Sequence, residues 1–132
     1  MLFPAITAFY GSLLALIYAG LASWVIAGRV TKGALFGDGG DDAMMRRVRC
    51  HANFIEYVPI ILILIGLYEG ASGSPTLVRV LLVVLLVARI LHPIGMFAAA
   101  NTPRQFACRG GGIILTLAVL NIAALALLIR VA

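Results

Sequence analysis

Long apolar runs alternate with short polar breaks along the chain, and the lengths of the runs predict four helices. The first run, Leu2 to Ala27, carries no charge and ends at Arg29 and Lys32. About 20 apolar residues suffice to cross the hydrocarbon core of a bilayer, so a helix over about 2–29 is expected to span it. A glycine- and aspartate-rich loop over 30–42 follows, in which Asp41 or Asp42 can cap the next helix. That second helix, about 43–70, begins polar (MMRRVRCHANFIEY) and continues apolar, and Pro59 inside it predicts a kink or a shifted hydrogen-bond pattern. A turn at Gly70–Pro75 leads to a third helix over about 76–100, interrupted at His92-Pro93. A break at Asn101-Thr102-Pro103 leads to a fourth over about 104–131. Gly110, Gly111 and Gly112 near its start predict tight packing or a ligand close to the backbone, since glycine is a poor helix former. The fold class expected is an all-α integral membrane bundle of four helices, one domain over 1–132.

Composition agrees with membrane rather than water as the main solvent. Of the 132 residues 63% are hydrophobic and only 11% charged, where a soluble domain carries about a quarter charged residues. The mean hydropathy is +1.10. The first run lacks a basic leading region and is longer than the core of a signal peptide, so it is expected to remain as a span. A net charge of +5 can indicate nucleic acid, but these basic residues sit mostly at the ends of apolar runs, where they anchor helices and set topology. No nucleic-acid partner is expected. Arg29, Lys32, Arg46, Arg47, Arg49, Arg104 and Arg109 fall on one side, against Arg79 and Arg130 on the other. The positive-inside rule then places the 30–42 loop in the cytoplasm and both termini outside. Cys50 and Cys108 form no metal-binding spacing, and neither His51 nor His92 has a second ligand on its own helix face, so no metal is expected.

Polar residues within spans are costly and mark function by default. Arg46, Arg49, Asn53 and Glu56 follow one another at spacings that put all four on one helix face, with His51 and Tyr57 flanking the stripe. Glu56 needs a cationic partner or a hydrogen-bonding ligand. Arg89 and His92, which share a face of the third helix, offer one, and an ion pair between Arg89 and Glu56 could simply hold the bundle. The surplus of cations over this one carboxylate points instead to a small polyanionic ligand, because guanidinium groups bind carboxylates in a fork. Arg47 lies off the stripe and is expected to reach lipid headgroups. His92, beside Pro93, also reads as a hydrogen-bonded structural histidine.

The segment from Arg46 to Pro59 resembles the signature of the membrane-associated proteins in eicosanoid and glutathione metabolism. That family includes microsomal glutathione transferases, leukotriene C4 synthase and the microsomal prostaglandin E synthase. The shared pattern is R-x-x-R-x-[HQ]-x-N-x-x-E, here followed by Tyr57 and Pro59. In topology the resemblance covers the whole chain, and the polar loop together with HANFIEYVP looks most like the short bacterial branch. The resemblance implies a homotrimer in the bacterial inner membrane, with glutathione as co-substrate bound between neighbouring subunits near the cytoplasmic surface. It also implies thiolate chemistry, as transferase or peroxidase, on lipophilic electrophiles entering from the membrane lipids. Carried over by position, Glu56 takes the glutathione amino group, and Arg49 and Asn53 hold its carboxylates and amides. Arg29, Arg46, His51, Tyr57, Arg89 and His92 complete the expected binding set. An arginine after the third helix stabilises the thiolate, here Arg104 by distance from Arg89, with Arg109 as the alternative. Some relatives carry a tyrosine one turn beyond the residue at His92, where this sequence has Met96, which donates no strong hydrogen bond. The residues themselves leave open a silent anion-binding protein, a small transporter subunit with Glu56, Arg89 and His92 lining a polar path, and a bundle whose charges only pair.

Overall fold

The computed structural model describes residues 2–132 and is helical throughout its regular elements: α1 (Ala5–Lys32), α2 (Asp42–Gly70), α3 (Pro75–Met96) and α4 (Pro103–Val131). All four are long and apolar enough to cross a membrane. The first helix starts and ends about three residues later than the run of apolar residues suggests. It is terminated by Gly33, whose φ of 66° makes the left-handed cap that closes the last turn onto Arg29 and Val30. The third helix passes through Pro93 and stops at Met96, four residues short of the expected end. A proline in a membrane helix is tolerated when neighbouring groups satisfy the freed carbonyl. The chain then turns through Asn101, at a φ of 59°, into Pro103.

Regular helix also runs through Pro59. The shifted hydrogen-bond pattern expected there occurs elsewhere, in a π turn over Phe106–Gly110 in the first third of α4. A π turn inserts one extra residue into an α-helix.

One core joins the four helices. Leu14 and Leu21 from α1 meet Phe54, Val58, Ile61 and Ile65 from α2, Val78, Leu82 and Leu85 from α3, and Val119 and Ala123 from α4. These residues recur at three- to seven-residue intervals, the spacing that keeps one helix face inward. At its loop end α1 approaches α2 closely through Gly28, where an added Cβ would stand 2.6 Å from the Met44 sulfur and 2.8 Å from an Arg47 nitrogen.

The two ends of the bundle are fastened differently. At the end carrying the Gly70–Pro75 turn, the Glu69 carboxylate accepts from the backbone N–H groups of Ile6 and Thr7, at 2.9 and 2.8 Å, and from the Thr7 hydroxyl at 2.7 Å. It thereby caps α1, whose own N-cap residue Pro4 supplies no side-chain bond. Leu2 N–H donates to the Gly70 carbonyl at 2.9 Å, and Arg130 donates to the carbonyls of Ala71 and Ser72 at 2.9 and 3.3 Å. At the other end Asp41 caps α2 by accepting from Met44 N–H at 2.7 Å, and pairs with Lys32 at 2.7 Å. The hydrogen bond from Lys32 holds the Asp41 carboxyl below its ordinary range.

Candidate functional site

The polar stripe of α2 is divided between two directions. Glu56 is the central residue of α2, and its side chain and that of Arg49 stay 47% and 58% exposed, with Arg49 Nη1 4.0 Å from Glu56 Oε1. Both therefore face out of the bundle, Glu56 at mid-length and Arg49 two turns nearer the loop end, and among the described residues each is the other's ion-pair partner. Asn53 turns inward instead and accepts from Arg89 Nη1 at 2.8 Å. Arg46 reaches the end of α3 and donates to the Met96 carbonyl at 3.1 Å.

Arg89 is 2% exposed, and its partners are neutral. Besides Asn53 it donates to the Gly112 carbonyl at 3.2 Å and to the Thr116 hydroxyl, which in turn donates to Gly112 at 2.7 Å. The ion pair that the sequence allowed between Arg89 and Glu56 does not form. Arg89 points into the α2–α3–α4 core, Glu56 points out of it, and carbonyl and hydroxyl oxygens take the place of the carboxylate. The Arg89 Nε is buried without a partner. Thr116 is the site residue that sequence reasoning missed, and Gly112, singled out for close packing, was not foreseen as an acceptor for Arg89. Their only signal was the glycine run and a hydroxyl one turn further on.

His92 is buried beside Gly112: a Cβ on Gly112 would stand 3.0 Å from the Ala88 carbonyl and 3.3 Å from the His92 Cβ. Arg89, one turn before His92, joins α2 to α4 through Asn53 and Gly112, and one turn beyond His92 Gly95 receives the Arg109 backbone. Residues of α2, α3 and α4 thus converge on one basic locus. Arg104, in the first turn of α4, and Arg109 are both exposed, but the backbone of Arg109 lies directly against Gly95 of α3.

Other expected site residues lie toward α1. His51 stacks on Tyr18 with ring centroids 4.9 Å apart. Arg29 makes one long bond, 3.5 Å, to the Leu35 carbonyl, and its Nε is buried and unpartnered. Arg47, expected at the headgroups, is engaged by α1. It donates to the Trp24 carbonyl at 3.3 Å and covers the Trp24 ring at 5.1 Å, a cation–π contact that keeps the guanidinium against the bundle.

The MAPEG family model matches residues 7–129. The chain is 30% identical over 90 residues to the inner membrane protein YecN of Escherichia coli (strain K12), covering 68% of this chain and 69% of that protein. The protein of the same name from Escherichia coli O6:H1 matches to the same extent. No solved structure matches.

Proposed function

The chain belongs to the MAPEG family, and on that premise we propose that it is a membrane-bound glutathione-dependent transferase or peroxidase acting on lipophilic electrophiles. The observation that carries this reading is the outward-facing pair of Arg49 and Glu56, which runs from the loop-side half of α2 to its centre. A carboxylate and a guanidinium left against lipid are costly, so both call for a polar cover. A peptide carrying an ammonium and two carboxylates fits: Glu56 takes its amino group, and Arg49 takes a carboxylate in a bidentate fork. A neighbouring copy of the chain would close the site from the side, which supports a homotrimer. Arg29 and His51, on the α1 side, are available to the ligand of that neighbour. The name of the relative supports an inner-membrane location, and the arginine-rich loop end favours the cytoplasmic side for 30–42.

In this reading Arg89 builds the floor of the site by fixing Asn53, and Arg46 anchors α2 to α3. Arg109, held by its backbone against Gly95, is, in preference to Arg104, the cation that lowers the thiol pKa of bound glutathione. The thiolate sulfur then attacks the electrophilic carbon, forming a C–S bond while the leaving group departs with its electron pair. With Met96 one turn beyond His92, stabilisation falls on guanidinium groups alone. That same residue favours a second reading, binding without turnover.

The test is titration of the detergent-purified protein with glutathione, followed by heat and by ultraviolet absorbance of the thiolate. Saturable binding with a thiolate signal is expected. Binding without the signal selects the silent protein, and no binding overturns the proposal.

A further inference from the structure

Resting on that reading, we propose that Gly95 and the π turn of α4 form a positioning device that holds the Arg109 backbone against α3 and so sets the place from which its guanidinium acts. Gly95 is thus a positioning residue for the thiolate although it touches no reacting atom.

Gly95 is buried where α3 crosses α4. A Cβ placed on it would collide with the Arg109 backbone nitrogen and would stand 2.7 Å from the Arg109 Cα and 2.8 Å from its Cβ. Carbon atoms rest about 3.5–4.0 Å apart, so any side chain at 95 displaces this turn by about an ångström. The obstacle is backbone, which cannot swing aside as a flexible side chain can. Three residues further along α4, Gly112 rests on Ala88 and His92 and is held by Arg89. The π turn is therefore clamped on α3 at two points, one for each glycine without room for a methyl group.

The extra residue of the turn determines which arginine has its backbone against α3. One residue corresponds to about 100° of helix rotation, so the segment before the turn is rotated by about that angle relative to an uninterrupted helix. The Arg109 backbone comes to lie against Gly95, one turn beyond His92, with its side chain accessible, whereas Arg104 stays in the first turn of α4. The charged and titratable groups around this point are Arg49 and Arg46 from α2 and Arg89 and His92 from α3. Gly110 and Gly111, in contrast, have no heavy atom within 4 Å of an added Cβ. They are internal controls on the same turn.

The experiment compares Gly95→Ala with Gly110→Ala and Gly111→Ala in the full chain, purified in detergent. Glutathione affinity is read by calorimetry and the thiolate midpoint by ultraviolet absorbance against pH. Gly95→Ala is expected to retain affinity while its thiolate midpoint rises by about one pH unit, the effect of moving one cation away. The two controls keep both values. A folded Gly95→Ala protein with the original midpoint overturns the inference. If Gly95→Ala does not fold, Arg109→Ala and Arg104→Ala carry the test: loss of the thiolate signal in the first alone is expected, and loss in the second alone overturns it. Absence of glutathione binding by the unaltered protein removes the transferase reading itself, which separates that failure from a failure of the Gly95 contact.

Discussion

Arg89 donates to the side-chain oxygen of Asn53 across 2.8 Å, and with its other terminal nitrogen it holds α4, so one cation on α3 fastens three helices. Arg89→Met removes the charge but leaves the Asn53 oxygen without its donor. The expected result is destabilisation of about 1–2 kcal/mol, the range of an interhelical hydrogen bond in a membrane bundle, read by denaturing-detergent titration. A gain in stability would show that desolvation of the guanidinium outweighs its bonds.

Arg49→Ala should remove glutathione binding without affecting the fold, because Arg49 faces outward and makes only the long contact to Glu56. A charge-assisted hydrogen bond contributes about 1.5–3 kcal/mol, so a loss of roughly ten- to a hundredfold in affinity is expected in the calorimetric titration. An unchanged binding constant would move the ligand site away from α2.

Glu69→Ala strips the cap from α1 and leaves two backbone N–H groups without acceptors. Loss of a cap costs about 1–2 kcal/mol, and Glu69→Gln, which keeps one oxygen, should cost less. The readout is thermal unfolding in detergent, and equal losses in the two variants would locate the effect in the charge rather than in the cap.

Acid should loosen the loop end first. The bond from Lys32 lowers the Asp41 carboxyl below its ordinary value of 3.8. A lowered carboxyl contributes stability above its unfolded value and loses it as pH falls through the folded one. Lys32→Met should therefore flatten the acid limb of the stability curve, and added salt should mimic it because the pair is exposed. A curve identical to that of the unaltered protein would refute this.

The spans were legible because uninterrupted apolar runs have few alternatives, and the α2 stripe because charges stand out within such runs. The partners of Arg89 were not. Charge complementarity favoured Glu56, but the acceptors are a backbone carbonyl, an amide and a hydroxyl, none of which carries a formal charge in a sequence. Arg47 was misread for a related reason: its partner Trp24 lies 23 residues away and becomes a neighbour only when α1 packs on α2. The glycine run pointed to the right part of α4, but not to a π turn, nor to Gly95 as the residue that receives it.

The unequal fastening of the bundle gives it a mechanical polarity. Around Glu69, Gly70 and Arg130 the helices are tied by short bonds, many of them to main-chain atoms, and that end behaves as a pivot. The opposite end holds like charges that repel, with Arg29 and Arg47 each keeping a buried nitrogen unmatched. Rods of this length, about 40 Å for α2, turn a few degrees at the pivot into an opening of several ångströms at the far tips. The bundle is thus built like tongs, joined by main-chain bonds at one end and held at the other by a few side-chain contacts.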